Sequence, residues 1–145
     1  MNAIAADAVS RFVDFYESLA LESLKRIRDV YAEDAWFKDP FNDVRGVDEV
    51  RRVLIHMFEA LSSARFLIRD SAVDGDTAFL TWDFYFHAKK WKPDVKQHIH
   101  GASHVRFDAQ GKAKYHRDYW DAAEELYEKL PLIGAVLRGL KKRMR

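Results

Sequence analysis

The hydrophobic periodicity of the sequence changes once, near residue 64, and this change restricts the fold. Before it, apolar residues recur at helical spacing; after it, aromatic and β-branched residues form strand-like runs. The predicted helices cover residues 3–19, 21–32 and 47–61, and the predicted strands 65–73, 77–88, 95–107 and 112–120. Helices grouped before strands indicate an α+β fold, with the helices packed on one face of a curved antiparallel sheet. Further helices are predicted over 121–130 and 131–143.

Length and composition narrow the class of protein. The 145 residues predict a single domain, with a core over about 3–120 and a helical extension over about 121–145. The net charge of +1 predicts no nucleic-acid partner, and the absence of cysteine excludes disulfides and thiolate metal sites. No signal sequence or membrane-spanning run is recognised. We therefore expect a cytoplasmic protein that uses neither a metal nor an organic cofactor.

Asp39 is placed among aromatic rings in the segment Trp36-Phe37-Lys38-Asp39-Pro40-Phe41. Partial burial beside such rings would raise the pKa of the carboxyl group and suit it to act as a general base near neutral pH. The alternative is that Asp39 only caps the turn formed by residues 40–43, because Asp-Pro commonly opens a turn. A catalytic and a structural interpretation of Asp39 are both open at this point.

Two segments resemble the nuclear-transport-factor-2-like superfamily, which includes ketosteroid isomerase, SnoaL-like polyketide cyclases, scytalone dehydratase and limonene epoxide hydrolase. They run from Tyr31-Ala32-Glu33-Asp34-Ala35 through Asp39-Pro40 to Gly46, and from His104-Val105-Arg106-Phe107 to Gly111-Lys112. The resemblance extends to about residue 120. It implies a cone-shaped sheet wrapped around the N-terminal helices, with an apolar pocket inside.

The same resemblance places Asp39 at the position of the ketosteroid isomerase general base. The two hydrogen-bond donors of that enzyme fall at Phe15, which cannot donate, and at Ser103, which is a weak acid. Steroid isomerisation is therefore not the expected reaction. We expect the pocket to bind an apolar small molecule through a wider set of side chains, namely Phe15, Tyr16, Trp36, Phe41, Val53, Met57, Phe58, Ser103 and Trp120.

The last predicted strand supplies further candidates, because His116, Asp118 and Trp120 share one of its faces. The resemblance implies that this face points into the pocket. His116 would act as acid or base near neutral pH, and Asp118 would orient His116 or a water molecule. The predicted catalytic residues are thus Asp39, His116 and Asp118. The alternative is a buried His–Asp pair that only fixes the strand.

Two strands pose a question of register. On strand 77–88, hydrophobicity favours Trp82, Phe84 and Phe86 as the inner set, although a slip of one residue would reverse the two faces. On strand 95–107, alternation with Ser103 places His98, His100 and His104 on the outer face. Their spacing permits a metal site, but neighbouring basic residues disfavour one. We expect instead a pH-sensitive homodimer interface on this convex face.

The final helix combines an apolar stripe with a basic end. The stripe comprises Leu132, Ile133, Val136, Leu137 and Leu140, and the basic residues are Arg138, Lys141, Lys142, Arg143 and Arg145. One interpretation is peripheral contact of residues 131–145 with an anionic membrane. The other is a helix that covers the pocket mouth or a partner subunit, with its cations placed favourably at the helix C-terminus.

Two principal functions follow. The first is a cofactor-independent isomerase, cyclase or dehydratase acting on an apolar substrate, with Asp39 as general base assisted by His116 and Asp118. The second is a non-catalytic binding protein for an apolar ligand, docked to a membrane or partner by its basic helix. A protein-interaction module is a third possibility, which the ordinary net charge does not favour. Three titratable groups in one apolar pocket favour the enzyme, because each is costly to bury.

Overall fold

The computed structural model describes residues 3–129 and 131–145, without the side chains of residues 3, 4 and 128. It confirms the predicted α+β fold, with N-terminal helices against a curved, open sheet of six strands and a C-terminal helix. The α-helices are α1 (Ala3–Glu17), α2 (Val47–Ala60), α3 (Ala122–Glu125) and α4 (Pro131–Met144). The strands are β1 (Tyr31–Lys38), β2 (Asp43–Arg45), β3 (Leu61–Asp74), β4 (Thr77–Ala88), β5 (Gln97–Phe107) and β6 (Ala113–Tyr119).

Two predicted helices differ from the structure. The segment predicted as helix 21–32 is a 3₁₀-helix over Glu22–Asp29, and Tyr31 already belongs to β1. The backbone of Arg26 leaves helical geometry inside this segment. The segment predicted as helix 121–130 is the short α3 followed by a 3₁₀ turn over Tyr127–Lys129, with Leu130 outside the described residues. Local apolar spacing identified both as helical but not their interruptions, because tertiary packing decides where short helices end.

The sheet has the strand order β2-β1-β6-β5-β4-β3. The pairing of β1 with β6 is parallel, with Phe37 opposite His116 and Lys38 opposite Arg117, whereas the other pairs are antiparallel. An early strand and the last strand are therefore neighbours in the middle of the sheet. This pairing brings the end of β1, where Asp39 follows, beside the end of β6, where Asp118 lies.

The main core lies between the inner face of the sheet and the helices. Phe12 of α1, Ile27 of the first 3₁₀-helix and Val50 of α2 are almost completely buried against Leu80 and Val105 of the sheet. Burying large apolar side chains from every one of these elements stabilises the fold by roughly 1.5–3 kcal/mol per side chain. A second apolar cluster, separate from this core, also lies on the sheet.

The second cluster is built on the inner face of β4. Trp82, Phe84 and Phe86 are buried there, as hydrophobicity predicted, so their neighbours Asp83 and Tyr85 face outwards. Glycine at position 101 of β5 permits this packing, because a Cβ atom there would lie 2.5 Å from Trp82 Cη2 and 3.0 Å from the Tyr119 carbonyl oxygen. The indole of Trp82 thus lies directly against the β5 backbone.

Candidate functional site

An apolar cavity of about 470 Å³ opens between α2, the end of β1 and the inner face of the sheet. Its volume lies within the range of small-molecule binding sites. The apolar part of the lining is Phe37, Phe41, Val53, Leu54, Met57, Leu61, Phe66, Trp82, Phe84, Phe86, Ala88, Trp91, Ile99, Trp120 and Leu126. The polar part is Tyr16, Asp39, Asn42, His56, Gln97, Asp118 and Glu125. A few polar groups in a largely aromatic wall are typical of a site that orients an apolar ligand.

Asp118 on β6 lies at one wall of this cavity, and its side chain is only 15% exposed. Its Oδ1 atom accepts two short hydrogen bonds, one from Ser103 Oγ at 2.5 Å and one from His116 Nε2 at 2.6 Å. The hydrogen bonds that Asp118 accepts from the described side chains all end on Oδ1. The carboxylate is therefore fixed through Oδ1, while no described residue donates a hydrogen bond to Oδ2.

His116 lies behind Asp118 and is buried, with 2% of its surface exposed. Its Nδ1 atom is 2.6 Å from Tyr31 Oη, which is in turn 2.6 Å from Tyr16 Oη. A neutral imidazole with its proton on Nε2 satisfies every donor in this chain: Tyr16 donates to Tyr31, Tyr31 donates to His116, and His116 donates to Asp118. The predicted His–Asp pair is therefore part of a longer buried chain that ends at the cavity.

Burial holds both phenols of this chain in the neutral form. The pKa of Tyr16 is raised by burial first and by the negative charge of Asp118 second, with a smaller contribution from Asp39. The pKa of Tyr31 is raised by burial and by its contact with Tyr16. Both hydroxyl groups therefore remain hydrogen-bond donors at neutral pH, as the chain of donors to Asp118 requires.

Asp39 lines the same cavity and also caps a turn, so the structural interpretation applies and the catalytic one stays a prediction. Its Oδ1 accepts hydrogen bonds from the backbone N–H of Phe41 at 2.8 Å and of Asn42 at 2.7 Å. The Asn42 side-chain amide lies 3.0 Å from Oδ1 and 3.1 Å from Oδ2. The turn residues thus engage both oxygens of Asp39, in contrast to Asp118.

The predicted ligand-contacting residues divide into two groups. Five line the cavity: Tyr16, Phe41, Val53, Met57 and Trp120. The other four, which are Phe15, Trp36, Phe58 and Ser103, are not among its lining residues.

Each of those four has another role. Phe15 is buried in the main core and Phe58 packs against that core. Trp36 donates a hydrogen bond to Asp43 and stacks under Arg45, because its neighbour Phe37 takes the inward position of β1. Ser103 is placed behind Asp118, where it also accepts a hydrogen bond from Trp82 Nε1 at 2.8 Å.

Sequence reasoning missed Tyr31, Asn42 and Gln97. Tyr31 fitted the apolar spacing of a helix, and its contact with His116 depends on the β1–β6 pairing. Gln97 is buried on the inner face of β5 and lines the cavity, and no hydrogen bond joins its side chain to a described residue. The alternation of strand 95–107, which set Ser103 inwards, also sets Gln97 inwards and was the available signal.

The outer-face histidines do not form a metal site with the described residues, among which no suitable group of three or more ligands occurs. His98 Nε2 and His100 Nδ1 lie 2.7 and 3.0 Å from Asp83 Oδ1, and Arg69 Nε lies 2.7 Å from Oδ2. The Arg69 guanidinium, followed by His98, holds the pKa of Asp83 far below its usual range. His104, by contrast, stacks on Phe79, and burial lowers its pKa.

Comparison with protein families matches residues 12–116 to the family described as a SnoaL-like domain. None of the curated proteins matches the chain significantly.

Solved structures with the same fold are numerous and distant in sequence. A nuclear-transport-factor-2-like protein from Burkholderia pseudomallei K96243 is 18% identical with a TM-score of 0.71, covering 85% of this chain and 95% of its own. A protein assigned as a SnoaL-like polyketide cyclase, from Jannaschia sp. CCS1, is 12% identical with a TM-score of 0.70, covering 83% and 88%. An LEH-like epoxide hydrolase from M. tuberculosis is 17% identical with a TM-score of 0.67, covering 97% and 95%. These likenesses concern the fold.

Proposed function

The chain belongs to the SnoaL-like domain family, and from that premise we propose that it is an enzyme that moves a proton on an apolar small molecule. The observation that carries this proposal is the position of Asp118. Asp118 lines a largely apolar cavity, its Oδ1 is held by two short hydrogen bonds, and no described residue donates a hydrogen bond to its Oδ2. A general base must be fixed in place and must keep an accepting atom for the substrate, and Asp118 meets both requirements.

In this proposal Asp118 is the general base and Asp39 the second carboxylate of the site. The sequence alone favoured Asp39, but the turn donates hydrogen bonds to both of its oxygens. A base with an oxygen free of protein donors reaches a substrate hydrogen without first breaking a hydrogen bond. His116 and Ser103 act as positioning residues, because they fix Asp118 and do not line the main cavity.

The simplest reaction of such a site begins with a carbon acid. Asp118 Oδ2 takes a proton from a carbon next to a substrate carbonyl, and the electron pair of the broken C–H bond forms an enolate. Return of the proton to another carbon of a conjugated enolate gives isomerisation. Attack of the enolate carbon on a second carbonyl gives cyclisation, with the proton passing from Asp118 to the new alkoxide. Expulsion of a β-hydroxyl gives dehydration, with the proton from Asp118 leaving on the hydroxide as water. Each outcome balances without an oxidant or reductant.

Gln97 suggests the shape of the substrate. It shares the inner face of β5 with Ser103, the partner of Asp118, but lies six positions away. An extended strand rises about 3.4 Å per residue, so the two backbone positions are separated by roughly 20 Å. Gln97 and Asp118, two of the polar residues that line the cavity, therefore lie well apart along the sheet. This arrangement favours an elongated, flat substrate with a reactive carbonyl near Asp118 and a polar group near the Gln97 amide.

A non-catalytic binding protein is the second candidate. It is favoured by the completeness of the two polar networks, since Asp39 closes its own turn and the chain from Tyr16 to Asp118 satisfies all of its donors. In that case the carboxylates would serve the fold, and the cavity would only hold its ligand.

Proton exchange separates the two candidates without knowledge of the natural substrate. We would incubate the protein with 2-tetralone, an apolar bicyclic ketone, in D₂O and follow loss of the α-proton signals by NMR. Wild type should exceed the buffer rate, and Asp118→Asn should lower the excess by at least about 100-fold. Asp39→Asn should have a smaller effect, and Asp34→Asn, on the exposed side of β1, is the matched control.

Binding of the ketone, measured by tryptophan fluorescence, accompanies each assay. Retained binding with exchange at the buffer rate in wild type would reject the enzyme and favour the binding protein. A loss of exchange in Asp39→Asn with full activity in Asp118→Asn would exchange the roles of the two carboxylates.

A further inference from the structure

The C-terminal helix α4 is amphipathic, and its apolar side faces solvent. Leu132, Val136, Leu140 and Met144 recur at intervals of four and so lie along one side of the helix. Their exposed fractions run from 50% for Leu140 to 87% for Met144. Exposure of a continuous apolar row by a whole helix is unusual in a folded domain and marks an interaction surface.

The opposite side of α4 is basic. Arg138, Lys141 and Lys142 follow at helical spacing, Arg143 adds a cation near the end of the apolar side, and Arg145 comes directly after the helix. Pro131–Arg145 contains no acidic residue. Because the whole chain carries +1 and this segment carries five basic residues, the rest of the chain carries −4. Positive charge is thus concentrated on the helix that also exposes apolar side chains.

We propose that α4 docks on the surface of an anionic lipid bilayer. An apolar side inserted at the headgroup boundary, with cations beside lipid phosphates, is the arrangement that amphipathic helices adopt at such surfaces. Long basic side chains such as Arg143 reach the phosphates while their stems remain among apolar groups. The helix does not cross the membrane: within residues 3–129 and 131–145, no helix combines the length and apolarity that spanning requires.

Charge distinguishes this occupant from another copy of α4. A second copy of α4 would offer these cations no acidic side chain, because Pro131–Arg145 contains none, and packing through the apolar sides would place the two Arg143 side chains in or beside the interface. An anionic surface instead attracts α4 and repels the acidic remainder of the chain, so docking also fixes an orientation.

The docked helix adjoins the cavity. Tyr127, in the turn just before α4, contacts the ring of Phe41 at a centroid distance of 6.3 Å, and Phe41 lines the cavity rim. Docking would therefore bring the rim towards a source of apolar compounds. The proposal holds whether or not the cavity is catalytic, since it depends on α4 alone.

Sedimentation of the full chain with vesicles tests the proposal. Wild type should bind vesicles of phosphatidylcholine mixed with phosphatidylglycerol and bind phosphatidylcholine alone at least about tenfold more weakly. Lys142→Glu/Arg143→Glu should lower binding to the anionic vesicles by at least about twentyfold. Lys25→Glu/Arg26→Glu makes the same change of charge on the first 3₁₀-helix and should bind like wild type.

The apolar side is tested separately. Leu140→Asp should bind at least about tenfold more weakly than wild type, whereas Val95→Asp, the same charge change at an exposed loop residue, should not. Circular dichroism and thermal melting show whether each variant is folded. The proposal would be overturned by equal binding of all variants, by no binding of wild type, or by a dimer in solution that the α4 variants dissociate while vesicles bind nothing.

Discussion

Tyr31 Oη lies 2.6 Å from His116 Nδ1, although 85 positions separate the two residues in the sequence. Both side chains are buried, and the parallel pairing of β1 with β6 brings their strands together. This contact fixes the imidazole of His116, whose other nitrogen holds Asp118 at the cavity wall. The geometry of the candidate site therefore depends on a phenol that is itself outside the lining of the cavity.

Tyr31→Phe should destabilise the protein by about 1–3 kcal/mol, since it leaves Tyr16 Oη and His116 Nδ1 without their buried partner. Urea denaturation measures the loss. Tyr119→Phe removes a hydroxyl from a tyrosine that is 49% exposed and should change the free energy of unfolding by less than about 0.5 kcal/mol. Equal effects of the two substitutions would show that the buried hydrogen bond adds nothing to stability.

Ser103→Ala should act on both residues that Ser103 joins. It removes the 2.5 Å hydrogen bond to Asp118 and leaves the buried Trp82 Nε1–H without its acceptor, at a cost of about 1–3 kcal/mol. A double-mutant cycle with Trp82→Phe isolates the second contribution by urea denaturation. If the two effects simply add, the indole hydrogen bond is not coupled to Ser103.

Gly101→Ala should displace the Trp82 indole, because the new methyl group would approach Trp82 Cη2 to 2.5 Å. We expect a loss of about 1–3 kcal/mol of stability and weaker binding of apolar ligands, since the indole also lines the cavity. Thermal melting and ligand titration measure the two effects. Gly139→Ala, in α4 with nothing within 4 Å, is the control and should not destabilise. Unchanged melting of Gly101→Ala would mean that the backbone absorbs the methyl group.

Asp83→Asn tests the electrostatics of the outer face, where Arg69, His98 and His100 contact this carboxylate. In the folded protein the pKa of Asp83 is lowered, mainly by Arg69. At a pH above the ordinary carboxyl pKa of 3.8, the ionised Asp83 therefore contributes its full stabilisation. This stabilisation is lost as the pH falls below 3.8 and through the lowered pKa of the folded state. Near pH 7 we expect Asp83→Asn to cost about 1 kcal/mol, because the partners are half exposed.

Denaturation of wild type and Asp83→Asn near pH 5 and near pH 3 gives the comparison, because both values lie below the ordinary pKa of an imidazole. The difference in the free energy of unfolding should be smaller at the lower pH. Asp34→Asn serves as the control on the exposed side of β1. A difference that grows on acidification would contradict the lowered pKa.

The order of elements and the inner faces of β4 and β5 could be predicted because they depend on local alternation. Hydrophobicity favoured Trp82 as inward and the family resemblance placed Ser103 inward, and both are buried on the inner face. The exact contacts of Ser103 could not be predicted, since the register of β5 with β6, which sets it opposite Asp118, is a property of two chain segments. A small polar residue on an inner face fits a ligand contact and a supporting role equally well.

The first strand shows a second limit. Trp36 and Phe37 are adjacent aromatic residues, and composition does not indicate which of them points inwards. The structure turns Phe37 to the cavity and leaves Trp36 outside, packed with Tyr115 of β6 and with Arg45. A shift of one position reverses every side chain of a strand, so only the pairing with β6 resolves the choice. Tyr31 was missed for the same reason.

The neighbouring positions of β1 and β6 have a consequence for biosynthesis. During translation β1 leaves the ribosome long before β6, yet β6 must insert between β1 and β5 to complete the sheet. Until then the nascent chain carries two unpaired strand edges, which are sites for aggregation. A polypeptide that ends before Ala113 thus contains Asp39 and most of the aromatic wall but cannot assemble the cavity. Recognition of an incomplete chain by chaperones would accordingly be expected to cease only when its last strand emerges.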